Sequence, residues 1–188
     1  MKINKYIVMP LAIVIILIAI FIFVSSTLSS VIVFIPGIIL TYIVYLITFY
    51  KKTPNPERIL PLYLFLLGIQ FLHFTEEYLT DFIIEVPKLL GQDAYPLDYW
   101  LVFNMVAYFI FIIGGIILFK KIKELMIIPL FFILVGVLLN SLGHILIAIY
   151  VGGYFSGLYT ALIYIIIGPM LIKRLWDETK TISDPIKY

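Results

Sequence analysis

Residues 13–20 read IVIILIAI, an unbroken apolar run that decides how the rest of the chain is interpreted. A membrane strand would alternate apolar and polar side chains, whereas a spanning helix needs about 20 mostly apolar residues. The run lies inside an apolar segment that covers residues 6–25. Five further segments of this kind follow, at residues 31–50, 59–81, 99–119, 125–149 and 155–173. The sequence therefore predicts an all-α, polytopic membrane bundle with six transmembrane helices.

The composition agrees with a protein dissolved in lipid. Of the 188 residues, 63% are hydrophobic and 13% are charged, whereas a soluble domain carries about 25% charged residues. The net charge of +2 and the lack of a basic cluster with interleaved aromatic residues exclude a nucleic-acid partner. The absence of cysteine excludes disulfides and thiolate metal sites. Membrane lipids are the expected surroundings.

The basic residues indicate the orientation of the helices. The first apolar run is longer than the roughly 7–15 residues of a signal peptide, so we interpret it as a retained helix. With six helices, Lys88 is the one basic residue on its side, and the other twelve share the opposite side, which is the cytoplasmic one by the positive-inside rule. These are Lys2, Lys5, Lys51, Lys52, Arg58, Lys120, Lys121, Lys123, Lys173, Arg174, Lys180 and Lys187. The prediction is a cytoplasmic-membrane protein with both ends in the cytoplasm.

Ionisable side chains inside the predicted spans mark a candidate site, because such groups are costly in a membrane. His73 and Glu77 lie four residues apart on helix three, so they share one face, which Glu76 flanks. Asn140 and His144 are likewise four apart on helix five. At a rise of about 1.5 Å per residue, all of them lie roughly 21–28 Å from the cytoplasmic side. The sequence therefore predicts one polar site near the extracytoplasmic face.

Three further residues are predicted to contact a ligand at this level. Gln70 lies one turn below His73, Asn104 lies about 8 Å below the outer surface on helix four, and Tyr154 precedes helix six. Together with Asn140 they form the predicted substrate-binding set. The loop over residues 82–98 contains two prolines and a glycine, which exclude one continuous helix. Whether this loop is a lid is left open.

Two imidazoles and two carboxylates are ligands that suit zinc, iron or manganese. The sequence therefore predicts His73, Glu76, Glu77 and His144 as metal ligands or as catalytic acid and base groups. Such a site would serve a metal-dependent hydrolase or oxidase, or an acid/base isomerase, with a lipid-like substrate. Two alternatives stay open: a binding or transport subunit for small molecules or ions, and a structural protein whose polar residues only pack helices.

The same residues carry a resemblance to a known family. The run HFTEE at residues 73–77, the second histidine His144, and the element YFSG at residues 154–157 together resemble the HXXEE family of bacterial membrane proteins. That family is marked by H-x-x-E-E, a further histidine and Y-x-P-G, and Ser156 replaces the proline here. The resemblance covers roughly residues 60 to 172. It implies a site at these residues but no reaction, because the family's function is not established.

The extent of this resemblance suggests two parts, with two helices in residues 1–58 and an HXXEE-like domain in residues 59–188. The spacing from His73 to Glu77 also resembles the H-x-x-x-E pattern of the emopamil-binding-protein family of small membrane isomerases. This second resemblance implies an acid/base pair and is an analogy of pattern alone.

Overall fold

The computed structural model describes residues 4–24 and 28–180, and every regular element in these ranges is helical. The predicted all-α class is therefore confirmed. The α-helices are α1 (Lys5–Val24), α2 (Leu28–Ile47), α3 (Pro56–Leu79), α4 (Phe82–Leu89), α5 (Leu97–Lys120), α6 (Ile127–Phe131), α7 (Asn140–Val151) and α8 (Leu158–Thr179). A π-helix (Phe132–Leu139) joins α6 to α7, and a short 3-10 helix (Lys123–Leu125) precedes α6.

Five helical segments of the described residues are long and apolar enough to cross a membrane. They are Lys5–Ile22, Pro56–Leu79, Leu97–Lys120, Lys123–Val151 and Leu158–Thr179. The sequence predicts six. The second predicted span corresponds to α2, whose apolar part in the described residues, Phe34–Ile47, is shorter. The six-span topology thus remains a prediction, whereas a bundle with five helices of spanning length is observed.

Helix boundaries follow local chemistry more closely than hydropathy. The sequence predicts that helix three begins at residue 59, but α3 begins at Pro56, because Asn55 accepts a hydrogen bond from the backbone N–H of Glu57 and proline suits the first helical position. Helix six is predicted to begin at residue 155, but Gly157 has a left-handed backbone (φ +81°) and α8 begins after it. The loop over residues 82–98 is broken as predicted, with α4 followed by non-helical residues 90–96.

The basic ends of the helices lie together at one end of the bundle. Asn4 donates to the hydroxyl of Tyr50 (3.0 Å), which joins the start of α1 to the segment after α2. Lys123, before α6, lies over the ring of Tyr50 at 5.3 Å. Arg58 on α3 pairs with Glu178 on α8 at 2.6 Å. Successive long helices therefore alternate in direction, which is the arrangement that the distribution of basic residues predicts.

The orientation can be tested with single cysteines, because the chain has none of its own. We expect a membrane-impermeant maleimide to label Asp93→Cys on intact cells, and to label Lys52→Cys and Lys121→Cys only after permeabilisation, because all three positions are exposed and the last two lie at the basic end. The cysteine-free parent is the control for background labelling. The reverse labelling pattern would show that the basic end faces outward.

The π-helix sits directly before the candidate site. Pro129 lies in the first turn of α6, where a helix tolerates proline because the backbone N–H groups there have no partner within the helix. The chain continues as a π-helix through Leu139, and regular α-helix resumes at Asn140. The wider π turns change which side chains face α3 and α8, and π-helices often occur at functional sites. This stretch therefore sets the directions of Asn140 and His144.

Candidate functional site

The centre of the site consists of three buried side chains from two helices. His73 and Glu77 lie one turn apart on α3, and His144 lies on α7. Their exposed fractions are 0%, 6% and 3%. Nε2 of His73 lies 3.3 Å from Oε1 of Glu77, and Nε2 of His144 lies 3.2 Å from the same oxygen. The structure thus brings together three of the four residues that the sequence predicts as ligands.

The other ring nitrogen of each histidine has its own partner. Nδ1 of His144 lies 2.6 Å from the backbone carbonyl oxygen of Ser156, which can only accept. Nδ1 of His73 lies 2.7 Å from the hydroxyl of Thr160. That hydroxyl donates to a carboxylate oxygen of Glu76 at 2.5 Å, so its single proton is committed. Both histidines must therefore donate from Nδ1.

The partners of the two Nδ1 atoms determine which form of each Nε2 atom faces Glu77. A neutral imidazole that is protonated on Nδ1 carries a lone pair on Nε2. The Nε2 atoms of His73 and His144 then direct two lone pairs toward a carboxylate oxygen. Each Nε2 atom lies 3.2–3.3 Å from Oε1 of Glu77, and atoms that all carry lone pairs repel one another at such distances unless a proton or a cation lies among them. The centre is therefore arranged to hold positive charge.

The three side chains could hold a metal ion. Their ligand atoms all lie within 4.8 Å of one another. In a tetrahedral site with ligands at about 2.0–2.1 Å, neighbouring ligand atoms lie about 3.3 Å apart, close to the two observed distances. Metal-binding histidines almost always donate their other N–H to a carbonyl or a carboxylate network, as both do here. The donor set and its surroundings fit a divalent metal.

Asn140 also reaches the centre. Its side-chain nitrogen lies 2.8 Å from Nε2 of His73. The amide can donate a hydrogen bond to a metal-free imidazole, and it also carries an oxygen that can act as a metal ligand. The sequence predicts Asn140 as a ligand contact, and the structure places its side chain beside the three central residues.

Glu76 lies outside the central group and performs a different task. Its carboxylate accepts hydrogen bonds from the backbone N–H groups of Tyr159 and Thr160 (2.9 and 3.0 Å), from the Thr160 hydroxyl, and from the Tyr154 hydroxyl (2.9 Å). The residue at the N-cap of α8 is Gly157, which has no side chain, so Glu76 of α3 caps α8 in its place. Glu76 thus contacts the site only through Thr160.

Tyr154 is placed by this cap. Partial burial raises the pKa of the Tyr154 hydroxyl, which therefore stays protonated and donates to Glu76. The Tyr154 side chain is 43% exposed, and the ring packs on Tyr159 at 4.8 Å. The structure places Tyr154 beside Glu76, and its role as a substrate contact stays a prediction.

Gln70 and Asn104 have partners away from the central three residues. Gln70 is buried one turn below His73, and its side-chain oxygen accepts from the hydroxyl of Tyr164 at 2.7 Å. The Asn104 amide donates to the carbonyl of Trp100 within α5 at 2.9 Å. The level of both residues in the membrane and their contact with a substrate stay predictions.

Three functional positions escape sequence reasoning: the Ser156 carbonyl, the Thr160 hydroxyl and Gly157. A methyl group at Gly157 would lie 2.5 Å from Cε1 and Nδ1 of His144 and 2.9 Å from Cε1 of His73. The glycine therefore allows the backbone to approach both imidazoles. The YFSG element is the sequence signal for Ser156 and Gly157. No feature of the sequence indicates that the Thr160 hydroxyl contacts His73.

Aromatic side chains cover the centre. The ring of Phe82, at the start of α4, lies 5.5 Å from the His144 ring. Trp100 of α5 stacks on Phe74 at 4.6 Å and on Phe82 at 6.5 Å. This cover is apolar, so the centre has a low dielectric surrounding in which its charges interact strongly.

The model of a family described as "protein of unknown function with HXXEE motif" matches residues 64–171. This match covers more than half of the chain. The chain belongs to the HXXEE family. No curated protein and no solved structure matches the chain at a significant level. The resemblance predicted from sequence is confirmed.

In this HXXEE protein the residues of the motif lie in two different places in the structure. His73 and the second glutamate, Glu77, face His144 in the centre, whereas the first glutamate, Glu76, caps α8. The matched residues begin within α3 and end within α8, so they contain the whole centre and exclude α1 and α2. Buried side chains of α1 and α2, among them Val14 and Ile38, nevertheless belong to the same apolar cluster as the rest of the bundle. The division at residue 58 remains a prediction.

Proposed function

We propose that this protein is a membrane-embedded, metal-dependent enzyme that acts on a lipid-like substrate near the extracytoplasmic face. The observation that carries the proposal is the arrangement of the two imidazoles. Both donate from Nδ1, and both direct Nε2 at Oε1 of Glu77, at 3.3 and 3.2 Å. If these side chains only packed helices together, pairs of one hydrogen-bond donor and one acceptor would serve equally well, and two Nε2 atoms would not need to face a carboxylate oxygen.

Two histidines and one carboxylate are the protein ligands of several catalytic zinc sites and of non-haem iron sites. A divalent metal at such a centre supplies an activated water and polarises an oxygen of the substrate. His73, Glu77 and His144 would hold the ion, and Thr160 and the Ser156 carbonyl would fix the two rings. Asn140 would contribute a hydrogen bond or an oxygen ligand beside His73.

The surroundings favour an apolar substrate. The centre lies between helices of spanning length, and the Phe82 ring packs on His144 with Trp100 and Phe74 stacked behind it. The exposed fractions of Glu77 and His144 are small but not zero, whereas His73 is fully buried. A substrate would therefore reach the centre from the side of Glu77 and His144, past the aromatic rings and not through bulk water.

The decisive experiment is metal analysis of the detergent-purified protein with a tag that contains no histidine. We expect about one zinc or iron ion per chain in the wild type and roughly a tenth of that or less in His73→Ala. Glu85→Gln is the matched control, because it removes an exposed carboxylate outside the centre. A wild-type protein that stays free of metal after incubation with zinc, iron and manganese would overturn the metal centre.

One observation favours a second candidate, an acid/base enzyme without metal. Both Nε2 atoms lie within ion-pair distance of Glu77, as they would if an imidazolium faced the carboxylate. In that case the wild type would remain folded without metal, and His73 and Glu77 would shuttle a proton during an isomerisation. Metal analysis therefore separates the two candidates.

A further inference from the structure

The hydroxyl of Tyr108 on α5 is buried without a hydrogen-bond partner among the described residues. The side chain is 3% exposed, and its ring is held edge-on by Phe71 at 5.3 Å and by Phe74 at 5.7 Å. A buried hydroxyl without a partner is destabilising, and phenylalanine would fill the same space without that penalty. The Tyr108 hydroxyl therefore does not contribute to the stability of the fold through a hydrogen bond.

Tyr108 lies beside the proposed centre. Gln70 and the Glu77 carboxylate both lie close enough to influence its hydroxyl, but no hydrogen bond of regular geometry joins that hydroxyl to a described residue. The Gln70 oxygen accepts from Tyr164, so Gln70 faces Tyr108 only as a donor, and the Tyr108 hydroxyl proton is left without an acceptor. Asn104 lies one turn toward the outer end of α5 on the same helix face, where it is half-buried. Both α3 and α5 thus carry polar residues near Tyr108.

We propose that the Tyr108 hydroxyl is the hydrogen-bond donor of a ligand subsite between α3 and α5, next to Glu77. The subsite takes the oxygen-bearing head of a lipid-like ligand, such as a carbonyl, ester or hydroxyl oxygen, while the apolar part of the ligand packs on the aromatic rings. The proposal rests on the proposed function for the location of the reaction centre. A phenol donor calls for an oxygen acceptor on the ligand.

The test compares Tyr108→Phe with Tyr63→Phe. Tyr63 is the matched control, because it is equally buried but its hydroxyl donates to the Phe111 carbonyl at 2.7 Å. We expect Tyr63→Phe to lower the melting temperature by a few degrees and Tyr108→Phe to leave it unchanged or raise it. Decanohydroxamic acid, which joins a metal-binding oxygen head to an alkyl tail, is the probe for calorimetric titration with and without added zinc.

For Tyr108→Phe we expect the affinity for the probe to fall roughly 3- to 10-fold, while the bound zinc stays at the wild-type level. Equal affinity in wild type and Tyr108→Phe would overturn the subsite, and so would a loss of stability as large as that of Tyr63→Phe. A wild type that binds no metal would overturn the proposed function instead. The comparison without zinc still measures what the hydroxyl contributes to binding.

Discussion

The substitution Gly157→Ala is expected to abolish metal binding and to lower the free energy of unfolding by about 2–4 kcal/mol. The new methyl group would lie 2.5 Å from the His144 ring and 2.9 Å from the His73 ring, closer than carbon atoms approach in proteins. A non-glycine residue at φ +81° adds backbone strain. Either the loop moves away or the two imidazoles turn, and both responses separate the Nε2 atoms from Glu77.

Two neighbouring glycines separate these causes. Gly152 has φ +75° with no atom within 4 Å of an added methyl group, so Gly152→Ala introduces strain without a clash. Gly153 has open space and no positive φ, so Gly153→Ala introduces neither. We expect metal content to fall only in Gly157→Ala, and melting temperature to fall most in Gly157→Ala, less in Gly152→Ala and least in Gly153→Ala. Full metal content in Gly157→Ala would show that the close approach is not needed.

Much of the centre was predictable, because helical periodicity and depth are local properties of the sequence. A spacing of four residues places His73 and Glu77 on one face of α3. The count of residues from the basic end places His144 at the same level on another helix, and the structure brings these residues within contact. The family resemblance adds Gly157, although the sequence alone does not show that it borders both imidazoles.

The separation of the two glutamates was not predictable, because it depends on which neighbour each helix face meets. Glu76 and Glu77 are adjacent in sequence and differ by about 100° around the helix. Glu77 therefore faces α7, and Glu76 faces the start of α8. Nothing local indicates that α8 would begin with a glycine cap and would need a carboxylate from α3.

The fold shows the same division between local and tertiary information. Long apolar runs predict helices. The basic residues predict that helix ends rich in lysine lie together, as the contact of Lys123 with Tyr50 illustrates. The apolar segment over residues 125–149 predicts a helix there, but not the π-helix within it. That backbone state depends on packing against neighbouring helices, which hydropathy does not encode.

The structure predicts opposite effects for substitutions of the two adjacent glutamates. Glu77→Gln removes a buried carboxylate that we propose as a metal ligand. We therefore expect loss of stoichiometric metal with unchanged or higher stability of the metal-free protein, because a buried carboxylate is costly without a cation. Glu76→Gln removes the charge that caps α8 and weakens up to four hydrogen bonds. We expect it to lower the free energy of unfolding by about 1–3 kcal/mol.

Metal affinity separates the two roles. Glu76→Gln should still bind one ion per chain, with roughly 10- to 100-fold lower affinity, because Glu76 fixes His73 only through Thr160. Thr160→Ser, which keeps the hydroxyl, should retain affinity, and Thr160→Val should lose it to a similar extent. The measurements are metal content, zinc titration and the melting temperature of the metal-free protein. If Glu76→Gln lost all metal and kept its stability, Glu76 would be a ligand, as the sequence predicts, and the capping role would be secondary.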